Sequence, residues 1–281
     1  MKRPVLIAAT TLAMVAFASN SLLCRSALRE LRIDAASFTA IRLMSGALLL
    51  WLMLRLRGAF SIRGSWASAL ALFVYAAAFS LAYLTLPAGI GALILFAAVQ
   101  GTMILSGLCR GEQLRPSQWF GILLAFAGLI WLLRPGFTAP PLAGSALMFA
   151  AGIAWGVYSL RGKGEQSPIS ATAGNFLRAA PMTILLSLIC APYFLPVHVT
   201  QSGLVLATVS GAITSGLGYV IWYAVLPSLR ATSAATVQLS APVIAAVGAV
   251  LFLSEPLTWR LVLAGLAVLG GIATVVLERR T

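Results

Sequence analysis

The chain has 281 residues, 60% of them apolar and 9% charged, where a soluble domain carries about half and about a quarter. Too few polar side chains exist to clothe a water-exposed surface, so the composition excludes an ordinary soluble globule and leaves no room for a separate soluble domain. The net charge of +13 is scattered as single basic residues between apolar runs, a pattern of membrane loops facing anionic headgroups that argues against nucleic-acid binding.

Taken in chain order, apolar windows punctuated by Gly, Pro and basic residues predict ten spans near 4–23, 35–56, 66–85, 88–109, 116–134, 141–160, 168–190, 202–225, 232–253 and 258–277. The first follows Met1-Lys2-Arg3 and contains Ala16-Phe17-Ala18, which imitates a cleavable signal. Its length suits a full crossing, and it is read as a retained first helix. Segments of about 20 uniformly apolar residues indicate helices rather than the shorter alternating strands of a barrel. The fold class is therefore an all-α membrane protein of ten transmembrane helices. An even number of spans puts both termini on one side, which collects Lys2, Arg3, Arg55, Arg57, Arg63, Arg110, Arg115, Arg161, Lys163, Arg230, Arg279 and Arg280. Only Arg25, Arg29, Arg32, Arg134 and Arg260 fall opposite. The bias predicts that both termini are cytoplasmic. Cys24, Cys109 and Cys190 have no metal or disulfide spacing and read as apolar fillers.

The two halves echo each other. Ala82 to Pro87 (Ala-Tyr-Leu-Thr-Leu-Pro) parallels Trp222 to Pro227 (Trp-Tyr-Ala-Val-Leu-Pro), and the spans that follow end at Arg110-Gly-Glu112 and Leu253-Ser-Glu255. Upstream, Phe38-Thr-Ala-Ile-Arg42 parallels Gly174-Asn-Phe-Leu-Arg178, placing one arginine inside the second span of each half. The halves are drawn at 1–138 and 139–281. Each holds five spans, so the second must be inserted upside down, and inverted repeats of this kind bind solutes between the halves near the midplane.

These features together resemble the drug/metabolite transporter superfamily, specifically its EamA-type members, over essentially the whole chain. The stretch from Ala231 to Gly248 with its mid-helix Pro242, continuing to Ser254-Glu255-Pro256-Leu257, is similar to that family's ninth span. The first half has Val99-Gln100 where the matching proline would stand. The resemblance implies a ten-helix inner-membrane transporter of amino acids, other metabolites or drugs.

The candidate substrate-binding residues are of three kinds. Arg42 and Arg178 are intramembrane charges, which are costly enough to suggest function; each either holds a substrate carboxylate in a bidentate pair or ties down backbone carbonyls and snorkels outward. Aromatic stripes at helical spacing comprise Tyr75, Phe79 and Tyr83, then Trp155 and Tyr158, then Tyr219, Trp222 and Tyr223. They read either as an amphipathic cavity lining or as interhelical packing, with Tyr83 and Tyr223 near span ends where an interfacial belt is expected. Asn20, Gln100, Asn175 and Gln238 are polar groups that need partners on a neighbouring helix or in a wet cavity. Pro242 is the candidate hinge, since it frees a backbone carbonyl one turn back. Gly152, Gly156 and the run from Gly211 to Gly218 read as close-packing positions. Glu112 and Glu255 at span ends are expected to pair with Arg110, Arg115 or Arg260.

His198 is the single histidine and no phosphate-binding loop or buried carboxylate pair is present in the sequence, so no catalytic residue, metal or cofactor is expected. The predicted function is a secondary transporter, working outward by alternating access, for small amphipathic metabolites such as amino acids. Downhill facilitation or exchange suits it better than obligatory proton antiport. Its partners are a carboxylate-bearing small molecule and the lipid bilayer, as a monomer or homodimer. The alternatives are a flippase for lipid or lipid-linked substrates and, less favoured, a membrane-embedded enzyme.

Overall fold

The computed structural model describes residues 3–58, 62–111, 113–136, 139–162, 165, 167–190, 197–229 and 237–277. Lys2, Glu112, Lys163, Arg230, Arg279, Arg280 and the opening of the ninth predicted span, 232–236, lie outside the described residues. The helices are α1 (Arg3–Arg29), α2 (Ala35–Leu56), α3 (Trp66–Tyr83), α4 (Ala88–Cys109), α5 (Pro116–Leu133), α6 (Leu142–Gly162), α7 (Pro168–Ala179), α8 (Met182–Cys190), α9 (Gln201–Val209), α10 (Gly218–Val225), α11 (Ser240–Leu253) and α12 (Trp259–Leu277). Helices α7 and α8 act as one crossing, as do α9 and α10 with the π-helical segment Ser210–Leu217 between them. Among the described residues nine helical segments are long and apolar enough to cross a membrane, and α11 is a shorter apolar helix.

Helix α3 and helix α4 pack on α6, α2 packs on α7 and on the π-helical segment, α4 on α11, and α5 on α12; α1 packs against α10, α11 and the π-helical segment. Glycine makes two of these approaches possible. A Cβ on Gly152 would lie 2.5 Å from Ala98 Cβ and from the Leu95 carbonyl, and one on Gly211 would overlap the Arg42 carbonyl. Apolar side chains such as Leu123, Phe126 and Ile130 on α5 point outward, as they can where the surrounding solvent is hydrocarbon.

Several boundaries depart from the sequence reading for local reasons. Helix α1 continues to Arg29 because its basic residues find acceptors: Arg29 Nη1 donates to the Leu253 carbonyl at 2.8 Å. The seventh span breaks between Ala179 and Met182, where Pro181 has no N–H and disfavours helical backbone before it. Pro242 stands in the first turn of α11, just after a break at Leu239, rather than in mid-helix, because the carbonyl it cannot bond belongs to Gln238 and the helix resets there. Glu255 pairs with Arg25 at 3.1 Å, and Arg260 instead donates to the Arg134 carbonyl at 2.7 Å; the partner expected from neighbouring sequence gives way to one brought close by folding.

Numbering the faces by the N-terminus of α1, the opposite face carries a backbone seam. Ile33 and Val199 form an antiparallel bridge, Asp34 N–H donates to the His198 carbonyl at 3.0 Å and Thr200 N–H to the Arg32 carbonyl at 2.8 Å. The bond from His198 N–H to Asp34 Oδ2, at 3.2 Å, closes the same stitch.

Candidate functional site

Asp34 caps α2 by accepting from Ser37 N–H at 2.8 Å, which fixes the register and carries Arg42 two turns into the helix. Thr39 locks that turn to α3 through a 2.8 Å bond to Ser80. Arg42 is 1% exposed. Its Nε donates to Ser215 Oγ at 3.1 Å, and one Nη donates to the hydroxyls of Tyr75 at 3.0 Å and Tyr219 at 3.4 Å. The other terminal nitrogen, Nη1, has no hydrogen-bond partner among the described residues. The guanidinium carbon lies 5.1 Å from the Tyr75 ring centroid and 5.0 Å from that of Phe79, within cation–π range.

Among the described residues, the groups that complete the surround are neutral. Asn20 on α1 donates to Tyr75 at 3.4 Å and to Ser215 at 3.3 Å, and its Oδ1 accepts from Ser210 at 2.5 Å and Thr214 at 3.2 Å. The π-helical turn makes this possible. With bonds stepping five residues instead of four, Ser210 and Ser215 come onto one side, whereas a regular helix would separate them. Trp155 closes the ring from α6, 4.9 Å from Tyr75 and 4.6 Å from Tyr219, and Phe17 links Trp155, Tyr219 and Trp222 at 5.9–6.0 Å.

Of the residues singled out in the sequence, Arg42, Tyr75, Phe79, Trp155 and Tyr219 thus share one cluster, and Trp222 reaches it through Phe17. Tyr158 stacks on Trp155 at 5.5 Å and faces a cavity of about 430 Å³ at the N-terminal face, whose lining also includes Asn175, Arg161 and Tyr223. Arg178 is elsewhere. Its Nη1 donates at 2.9 Å to the carbonyls of Arg63 and Gly174, tying the segment before α3 to α7. Gln100 and Gln238 are buried in α4 and ahead of α11, and Gln238 Oε1 has no hydrogen-bond partner among the described residues. Tyr83 and Tyr223 are buried rather than interfacial, Tyr83 donating to the Ala88 carbonyl at 3.3 Å.

Asn20 was among the polar candidates, whereas Ser210, Thr214, Ser215 and Phe17 were not singled out as site residues. The signal available for the hydroxyls was a Ser/Thr-rich run inside the eighth span, polar in hydrocarbon.

At the opposite face a second cavity, about 390 Å³, lies between α4 and α11. The largely buried ion pair in its wall, Arg25–Glu255, joins four elements. Arg25 donates to the carbonyls of Tyr83 at 2.9 Å and Leu84 at 3.2 Å, while Glu255 Oε2 accepts from Ala88 N–H, at the positive end of α4, at 2.7 Å.

A bundle of membrane-length helices closed around an intramembrane cation, with a cavity toward each face, defines a multi-pass membrane protein built to pass a solute. The chain belongs to the EamA-like transporter family, whose sequence pattern matches residues 5–134 and again 142–277. An uncharacterised protein of Pseudomonas aeruginosa is 54% identical over 272 residues, covering 96% of this chain and 94% of its own. A threonine/homoserine exporter of Salmonella typhimurium is 28% identical over 68% of this chain and 63% of its own length. A probable amino-acid metabolite efflux pump of the same organism is 27% identical over 66% and 67%. A crystal structure 20% identical superposes with a TM-score of 0.69, covering 96% of this chain and 98% of its own, which establishes a shared fold. Family membership places the chain among membrane transporters rather than enzymes.

Proposed function

We propose that the protein is a secondary exporter of small amphipathic solutes that carry a carboxylate, amino acids first among them, working by alternating access in the inner membrane with both termini in the cytoplasm. The halves 1–138 and 139–281 act as inverted repeats; the packing of α2 on α7, α4 on α11 and α5 on α12 pairs corresponding spans and supports this arrangement.

One observation carries the reading: Arg42 is a fully buried guanidinium bonded to neutral hydroxyls, with no hydrogen-bond partner for Nη1 among the described residues. A buried charge without an opposite partner costs several kcal/mol, and an unmet buried donor about 1–3 kcal/mol. A carboxylate arriving at Nη1 offsets both. Tyr75 and Tyr219 accept from Arg42 through their oxygens, and the hydroxyl protons, one of them now shared with Tyr75 or Ser215, can turn to the same carboxylate. The ammonium or apolar remainder of the solute then meets the faces of Trp155 and Phe79. The exporter names of the relatives at 27–28% identity support the direction and the amino-acid class. Pro242, next to the break at Leu239, serves as the hinge, with Gln100 and Gln238 as polar groups on the two central spans.

The experiment is flux into proteoliposomes containing only this protein, using pooled labelled amino acids, with and without a pH gradient. Saturable downhill flux that ignores the gradient is the expected result. Accumulation driven by the gradient would overturn facilitation in favour of proton coupling, and absence of flux of every pooled solute by folded protein would overturn the substrate class.

A further inference from the structure

The cavity of about 430 Å³ at the N-terminal face lies within the range that small ligands occupy, and its walls present donors. Arg161 enters it from the end of α6. Its Nε donates to Ser68 at 3.0 Å and its Nη2 to Ser65 at 3.4 Å, so the guanidinium plane is fixed while Nη1 carries no bond among the described residues. Asn175 offers the same sign of chemistry. Its Oδ1 accepts from Ser65 N–H at 3.0 Å and its side chain also bonds the Tyr158 hydroxyl, which leaves one amide N–H that it can give a ligand. Both Ser65, the cap of α3, and Pro168, which opens α7, line the cavity, adding the positive ends of two helices. The acid in the lining, Glu165, sits 3.9 Å from Arg63, and Arg161 has no carboxylate partner among the described residues.

The floor of this cavity is also connected to Arg42 by a continuous series of ring contacts. Tyr158 lines it and stacks on Trp155, and Trp155 touches both tyrosines whose hydroxyls bind the Arg42 guanidinium. We infer that this cavity is a second, loading site for the carboxylate of a small solute, anchored by Arg161 with Asn175 and Tyr158 as further donors, from which the solute passes the Trp155–Tyr158 stack to Arg42. The carboxylate class of the occupant rests on the function proposed above; the anion preference of the cavity rests on its own lining.

The test reads that preference without transport. In a protein with Cys24, Cys109 and Cys190 replaced by serine, Ala171→Cys puts a thiol in the cavity wall, and Thr172→Cys provides a second position. The purified protein in detergent is treated with anionic sulfonatoethyl or cationic trimethylammonioethyl methanethiosulfonate, each rate being divided by that with free cysteine. The anionic reagent is expected to react about tenfold faster, the low end of electrostatic focusing in a charged cleft. Arg161→Gln should bring the ratio near one, and propionate should slow labelling only while Arg161 is present. Asn175→Asp keeps the acceptor for Ser65 N–H but loses the donors, and it should lower the ratio too if Arg161→Gln fails to elute as folded protein. A ratio near one at both cysteine positions, or a ratio that survives both substitutions, overturns the site. Because no flux is measured, a preserved ratio beside absent amino-acid flux would sink the proposed function and leave the cavity's assignment standing.

Discussion

In the first half of the chain Arg42 meets hydroxyls and aromatic faces and keeps one terminal nitrogen without a hydrogen-bond partner among the described residues, whereas in the second half Arg178, at the matching place in the sequence, spends the same terminal nitrogen on two backbone carbonyls. The difference begins in the helix each occupies. Helix α2 runs unbroken for 22 residues with Arg42 facing inward. Pro181 ends α7 just beyond Arg178, so Arg178 lies in a last turn and folds back toward Arg63 and Trp66, whose ring centroid is 5.9 Å away. One duplicated arginine became a candidate ligand and the other a clamp, which teaches that equivalence in a repeat assigns position and leaves the role to the partners that packing delivers.

The contrast can be broken most directly at Arg42. Arg42→Ala should lower carboxylate flux about 100-fold or more, the scale for removing one member of a buried charged pair, while Arg42→Lys keeps the charge but loses the fork and should recover only part; flux equal to the parent from folded Arg42→Ala protein would end the contrast. Arg25, by contrast, has a carboxylate beside it. Glu255→Gln strands it and should reduce stability by about 3 kcal/mol, seen as a lower melting midpoint in detergent, with no such fall if the pair is ornamental. Gly211→Ala pushes a methyl group into the Arg42 carbonyl, and overpacking of about 1–3 kcal/mol should appear as roughly tenfold weaker flux. Arg178→Ala should change flux less than about threefold, within the range of a lost surface-side hydrogen bond, and be visible mainly as faster amide exchange around Arg63.

The spans were legible in the sequence because hydrocarbon enforces long apolar helices, and the aromatic stripe of α3 was legible because a spacing of four fixes a face. The split between Arg42 and Arg178 was not, although Pro181 stood three residues beyond Arg178 as a marker of the helix end. The contribution of Ser215 was hidden for a different reason: periodicity assumes a regular turn, and the π-helical segment Ser210–Leu217 changes which residues share a side. Glu255 found Arg25 rather than Arg260 because the pair spans 230 positions of chain, a distance over which local pattern carries no information.

The backbone seam between 32–34 and 198–200 joins the turn after α1 to the start of α9, one from each half of the sequence. At that face the halves are bound like pages at a spine. Parting the two halves at that face would break these main-chain bonds together with the Arg25–Glu255 pair and the Arg29 bond to the Leu253 carbonyl.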